Sequence, residues 1–233
     1  MTTNSKHAWT AAVTALIVTA LLSSGVQAAE NLVPLETKLP KPLFQGTPKN
    51  IKASPTLEAY NEKPRPQFLA PEGTVNMAAK KKVTSSDSQP IIGELTMVTD
   101  GDKEGSDGSY VELGPDLQWV QIDLGAVAEI YAVLLWHYHG EGRVYHDVVI
   151  QVADDPEFLQ NVRTFYNNDF DNSAGLGQGK NLEYIEDYRG KLIDAKDEKG
   201  QPARGRYVRL YSKGNTSNDL NHYVEVEVFA RPA

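Results

Sequence analysis

Leu117-Gln-Trp-Val-Gln-Ile-Asp-Leu124 is the stretch that decides the fold class. Side chains alternate between the two faces of an extended strand. Val120, Ile122 and Leu124 therefore point one way, and Trp119, Gln121 and Asp123 the other. Gly125 is expected to turn the chain and end the strand. Runs of similar texture follow at Ile130 to His137, Tyr145 to Ala153, Arg206 to Ser212 and Tyr223 to Ala230. In the last, Val224, Val226 and Val228 are expected to face the core and Glu225 and Glu227 the solvent. From Thr74 onward, short alternating runs separated by turn-rich loops predict an all-β, antiparallel sandwich over residues 74–233.

On the N-terminal side the texture is different. Residues 30–73 hold eight of the thirteen prolines and have neither helical nor strand periodicity. Proline fixes φ and removes a backbone donor, so residues 29–73 are expected to be extended. They are either a flexible linker or a tail that wraps the domain, with Leu43, Phe44, Tyr60 and Phe68 as candidate anchors. Before them, a polar start carrying Lys6 leads into an apolar stretch from Ala11 to Leu22, too short for a membrane span. Val26-Gln-Ala28 then offers small residues where a signal peptidase reads. Residues 1–28 are thus expected to be a signal peptide cleaved near Ala28, which makes the protein secreted or periplasmic. On the C-terminal side, residues 154–204 are too long for a structureless loop, so an added strand or short helix is expected there, with a helical turn at Asp155 to Leu159.

A net charge of −8 and a pI near 5.2 exclude a phosphate-tracking nucleic-acid binder, which needs a clustered positive footprint. Lys80 to Lys82 reads as a solvated run. Cysteine is absent, which excludes disulfides, thiol catalysis and a lipidated N-terminal Cys.

Taken together, several segments resemble the discoidin domain, the coagulation factor five/eight C-type module of the galactose-binding-like superfamily, similar to family 32 carbohydrate-binding modules. They are Asn76-Met-Ala with Val83-Thr-Ser-Ser86, Thr99-Asp-Gly-Asp102, Trp119 to Gly125, Gly205-Arg-Tyr-Val-Arg-Leu210 and Val224 to Phe229. The resemblance implies an eight-stranded jelly roll. It also implies a structural calcium, held by the side chains of Asp100, Asp102 and Glu225 and by carbonyls at Met97, Gly105 and Val224. Calcium takes several hard oxygen ligands, and a tight glycine turn lets carboxylate and carbonyl oxygens converge. The chain departs from the family after the turn, in Lys103 to Tyr110, where Asp107 is a candidate to replace a carbonyl.

The densest run of functional side chains is Trp136-His-Tyr-His-Gly-Glu-Gly-Arg-Val-Tyr-His-Asp147. One reading is a transition-metal site at His137, His139 and His146. Another is a sugar site, since sugars are held by an aromatic platform and directional polar groups. Tyr138, His139, Arg143 and Tyr145 supply those types, and the loop from Asn215 to His222 adds amides, Asn218 among them. A third makes these residues structural pins. The glycine-rich Gly175 to Gly179 follows no hydrophobic strand and is no phosphate cradle. The expectation is a non-catalytic exported module binding a glycan or another cell-surface ligand. The alternatives are a structural or protein-interaction domain with no small-molecule ligand, and a His-based metal site.

Overall fold

The computed structural model describes residues 31–44 and 46–233, together with Met1 and Thr2. The signal-peptide reading therefore lies, but for its first two residues, outside the described residues. Twelve strands follow one another: β1 (Leu32–Pro34), β2 (Leu69–Pro71), β3 (Val75–Asn76), β4 (Val83–Ser85), β5 (Val111–Leu113), β6 (Gln118–Trp136), β7 (Val149–Ala153), β8 (Arg163–Asn167), β9 (Lys191–Asp194), β10 (Ala203–Ser212), β11 (Asn221–Tyr223) and β12 (Glu225–Pro232). A 3-10 turn at Leu95–Thr99 is the one helical element among the described residues. Every named strand pair is antiparallel. Among the described residues no helix is long and apolar enough to cross a membrane.

Gly125 does not end its strand. It adopts φ +89° in a bulge within the single 19-residue β6, and its amide donates to Asp123 Oδ1 at 2.8 Å. A bulge leaves the strand running onward but bends it, and the two halves of β6 find different neighbours. The first half lies between β4 and β10, the second between β12 and β9. Val120, Ile122 and Leu124 from the first half and Ile130, Val133 and Leu135 from the second line one core with Val208, Leu210, Val226 and Val228. Each such side chain contributes roughly 1.5–3 kcal/mol on burial. The opposite face of the first half is covered by polar side chains: Arg209 Nε donates to Gln121 Oε1 at 2.8 Å with its guanidinium over Trp119, and Arg206 pairs with Asp123 at 2.7 Å.

The closing strand departs from the simple alternation. Glu225 and Glu227 are buried rather than solvated, because the turn at Asp100 to Lys103 sits on them. Gly101 N donates to Glu225 Oε2 at 3.1 Å, and Lys103 pairs with Glu227 at 2.6 Å. Val224 belongs to a second cluster with Ala132, Leu134, Trp136 and Phe229 on the other side of the sheet. Residues 154–204 contain β8 and β9 and no helix; Asp155 instead makes a tight turn by accepting the Leu159 and Gln160 amides on Oδ2 at 3.0 and 2.6 Å.

The second cluster explains the proline-rich segment. Leu35 and Phe68 pack onto it, and β1 pairs with β2 so that residues 31–73 form a strap over the outer face of the sheet. Prolines cannot join a sheet ladder as donors, so side chains from the sandwich tie the strap down. Arg189 Nη1 donates to Asn61 O at 2.6 Å and Lys63 O at 2.8 Å, while its Nε bonds both oxygens of Asp187 at 3.0 and 2.9 Å. Tyr60 Oη donates to Asp187 Oδ2 at 3.1 Å. Leu43 stays exposed.

Candidate functional site

The run from His137 to Asp147 follows the end of β6 and leads into β7, and the structure sends its three histidines to three different partners. His137 is fully buried; its Nδ1 donates to Glu186 Oε1 at 2.6 Å and its ring stacks on Tyr145. His139, also 0% exposed, donates from Nε2 to Lys103 O at 2.8 Å and packs against Gly105. His146 is half-buried and donates from Nδ1 to Glu183 Oε1 at 2.9 Å. The three rings do not converge on one point, so the His137, His139, His146 metal reading fails on geometry. Among the described residues, the one group of three potential metal-ligand side chains whose ligand atoms lie within 4.8 Å of each other is Asp147, Asp169 and Asp171.

The residues singled out as a sugar platform are only partly brought together. Tyr145 is 2% exposed and donates its hydroxyl proton to His222 Nδ1 at 2.9 Å, whose Nε2 donates to Glu112 Oε2 at 3.0 Å. That tautomer is required because Glu112 can only accept. Burial, with Arg143 and His137 adding to it, holds His222 down to about 4. Tyr145 and His139 thus pin the loop from within and are out of a ligand's reach. Tyr138 and Arg143 do stand together near the surface, the guanidinium 4.5 Å from the ring centroid, with Tyr110 edge-on to Tyr138 at 5.3 Å. Asn218 is exposed, and its Oδ1 accepts from Asn215 Nδ2 at 2.8 Å and Leu220 N at 3.0 Å, which holds its own loop closed.

On the other side of the same loop lies an open cleft of about 440 Å³. Its walls come from five parts of the chain: Thr56 from the strap, His146 with Asp147, Phe170 with its neighbours, Glu183, and Lys213. Backbone pairing fixes them. His146 N donates to Gly214 O at 3.1 Å, Asn168 N to Val148 O at 3.1 Å, and Glu183 N to Thr56 O at 2.8 Å. The His146–Glu183 hydrogen bond raises the imidazole above its usual value, with burial opposing and the Glu183 and Asp147 charges assisting. Burial raises the Asp147 carboxyl as well; Ser173 Oγ, which donates to it, and Lys213 pull it down, while Asp169 and Asp171 push it further up.

The residues expected to hold calcium fit an ion in part. Glu225 is 0% exposed, and its Oε1 has no hydrogen-bond partner although Oε2 accepts from Gly101. Burial pushes this carboxyl up to about 8, against the pull of the Gly101 amide. A buried, half-satisfied carboxylate beside an Asp-Gly-Asp turn suits a hard cation. Asp100 and Asp102, however, each spend Oδ1 on a backbone amide, of Asp102 at 2.8 Å and of Glu104 at 2.9 Å. Gly105 is buried, Met97 and Val224 flank the turn in sequence or across the strand end, and Asp107 is exposed.

No family model matches the chain, and no curated protein matches it. Solved structures do. A family 89 glycoside hydrolase from Clostridium perfringens, in complex with 2-acetamido-1,2-dideoxynojirmycin, aligns with TM-score 0.50 and 19% identity over 68% of this chain and 15% of that one. The CBM32 of AlyQ, in complex with 4,5-unsaturated mannuronic acid, aligns with TM-score 0.42 and 23% identity over 64% of this chain and 93% of that one. Chitosan-binding module 1 of a chitosanase/glucanase from Paenibacillus sp. IK-5 aligns with TM-score 0.41 and 20% identity over 66% and 98%. The chain thus spans a small part of the first of these and nearly the whole of the other two. At such identities the likeness is one of fold. With its antiparallel strands and its core lined by both halves of β6, the chain carries a β-sandwich, a fold it shares with part of the family 89 glycoside hydrolase.

Proposed function

We propose that this chain is an exported, non-catalytic carbohydrate-binding module that takes its glycan in the cleft between His146, Phe170, Glu183 and Lys213. The observation that carries the reading is the composition of that cleft: one aromatic ring, Phe170, among hydrogen-bonding groups on backbone that is locked by strand-like pairing. A sugar ring presents an apolar face to an aromatic and hydroxyls to planar polar groups. Binding without catalysis is supported by the commitments of the carboxylates: Asp169 accepts the Ser173 and Ala174 amides at 2.9 Å each, and Glu183 is bonded to His146. Structural calcium at Glu225, with Asp100 and Asp102, would relieve the unpartnered Glu225 Oε1. Export rests on the signal-peptide reading of residues 1–28.

A glycan array probed with the mature chain tests the reading. One or more sugar classes should be retained, and Phe170→Ala or His146→Ala should lose them while staying folded. A folded sample that binds nothing on the array would overturn it in favour of attachment to a protein. Retention that survives both substitutions but is lost in Arg143→Ala would move the site to the Tyr138 and Arg143 patch.

A further inference from the structure

We infer that the strap and the sandwich together form a site for a dianionic tetrahedral oxyanion, a phosphate or sulfate group, in the recess between Arg65, Arg189 and Lys191, with the free edge of the Arg65 guanidinium as its two-pronged donor. The recess holds about 220 Å³. Four cationic side chains line it, Lys63, Arg65, Arg189 and Lys191, against two carboxylates, Glu58 and Asp187. That surplus of positive charge stands in a chain whose formal net charge is −8. Both carboxylates are already committed. Glu58 Oε2 accepts from Lys191 Nζ at 2.6 Å, and Asp187 takes the Arg189 Nε on both oxygens, at 3.0 and 2.9 Å. Arg189 is committed as well, since its Nη2 also bonds Asp187 and its Nη1 holds the strap carbonyls of Asn61 and Lys63.

Arg65 is the group left over. Its hydrogen bonds all run from Nη1, to Arg189 O at 3.3 Å and Gly190 O at 3.2 Å, and both acceptors are backbone carbonyls. Its Nε and Nη2 have no hydrogen bond, yet neither belongs to the unpartnered side-chain atoms sealed from solvent, so this edge opens to water. Burial and the neighbouring Arg189 charge hold the guanidinium below its ordinary value, against the pull of Asp187 and Glu227. The Nε and Nη2 donors of a guanidinium lie in one plane and match two oxygens of a single oxyanion. Lys191 spends one of its three ammonium protons on Glu58 and keeps the others. A carboxylate would neutralise half of the surplus charge, whereas a phosphate or sulfate dianion neutralises all of it. Chloride offers no pair of oxygens to the fork. Because Lys63 and Arg65 come from the strap while Arg189 and Lys191 belong to the approach and start of β9, the bound anion would tie the two together.

Calorimetric titration of the mature chain tests the site, at mildly alkaline pH and at an ionic strength fixed with sodium chloride. Inorganic phosphate and sulfate are expected to bind one to one with Kd on the order of 0.1–1 mM, and acetate about ten-fold more weakly, the worth of one charge-assisted contact. Arg65→Lys keeps the charge and loses the fork, so it should weaken phosphate about ten-fold. Arg65→Gln should weaken it further. Lys191→Met leaves the Arg65 contacts to the strap in place and should also weaken phosphate, which separates loss of the site from loosening of the strap. A sugar phosphate monoester, glucose 6-phosphate, distinguishes the sources: tighter binding than inorganic phosphate points to a phosphorylated glycan, and equal or weaker binding to the free ion. Phosphate that binds no better than acetate, or an affinity unmoved in both Arg65→Gln and Lys191→Met, would overturn the inference. The glycan array is an independent measurement, so either result can fail without the other.

Discussion

The rings of His137 and Tyr145 lie face to face, their centroids 4.2 Å apart and their planes 14° from parallel. Behind the stack, His137 bonds Glu186 in a fully buried pair. Removing one partner of such a pair strands the other in a low-dielectric interior, a loss of about 3–5 kcal/mol. His137→Ala should therefore destabilise by that order in urea unfolding, and His137→Gln, which keeps a donor toward Glu186, by clearly less. Equal losses in the two variants would show that ring packing, not the Glu186 contact, is what matters.

Two histidines should bend the pH–stability curve in opposite directions. His222 is held down to about 4, so the unfolded chain binds a proton near the ordinary value of 6.5 before the folded one does. Stability from this group is present above 6.5 and is lost as pH falls toward 4, on the order of 3 kcal/mol in all. His146 is raised, so its contribution is present below 6.5 and is lost as pH rises through its folded value. Glu112, pushed up by burial with Arg143 opposing, works against His222. Urea midpoints measured across the acidic range for the natural chain and His222→Asn isolate the His222 part, and an unchanged acid limb would refute it.

Arg189 holds the strap through the carbonyls of Asn61 and Lys63. Arg189→Ala should cost about 1–3 kcal/mol through these carbonyls and Asp187, whose partner it removes. Limited proteolysis followed by mass spectrometry should then show new early cuts between residues 31 and 68. A cleavage pattern identical to that of the natural chain would mean that Leu35 and Phe68 hold the strap by packing alone.

Gly190 has φ +62°, and a Cβ there would lie 2.7 Å from Trp136 Cε2 and 2.8 Å from Leu135 O. Gly175, at φ +72°, has open space around it. Gly175→Ala should cost about 1–2 kcal/mol from backbone strain alone, and Gly190→Ala roughly 1–3 kcal/mol more from overpacking. Thermal melts of the two variants side by side measure the difference.

If calcium binds at Glu225, mass action raises stability by about 2.7 kcal/mol at a hundred-fold excess over Kd. The melting temperature should climb with added calcium and fall with chelator, and Asp100→Ala should flatten the response. A melt indifferent to calcium, chelator and Asp100→Ala alike would leave Glu225 as a buried acid with no ion.

The sandwich was legible because its determinants are local. Val120, Ile122 and Leu124, or Val226 and Val228, carry the period of two in their own order. What escaped that logic depends on distant chain. Glu225 alternates like an exposed residue and is buried because the Asp100 turn folds over it. His139 and Tyr145 have the chemistry of a sugar platform, but the way the loop leaves β6 turns them inward. The cleft is assembled from Thr56, His146, Asn168 and Lys213, no two of them within twenty residues in the chain. A signal was present in Asp169-Phe-Asp-Asn-Ser173, whose closely spaced acids flank an aromatic.

The strap has a mechanical meaning. Stretched as a proline-rich tether at ~3.1 Å per residue, residues 31–72 would give roughly 130 Å of reach. Instead Glu72 N donates to Asn31 O at 2.9 Å, and the Asn31 side chain bonds Glu72 at 2.9 Å. Both ends of the loop sit one hydrogen bond apart, so forty-odd residues add no leash length. Only by peeling β1 from β2 could the protein lengthen its arm.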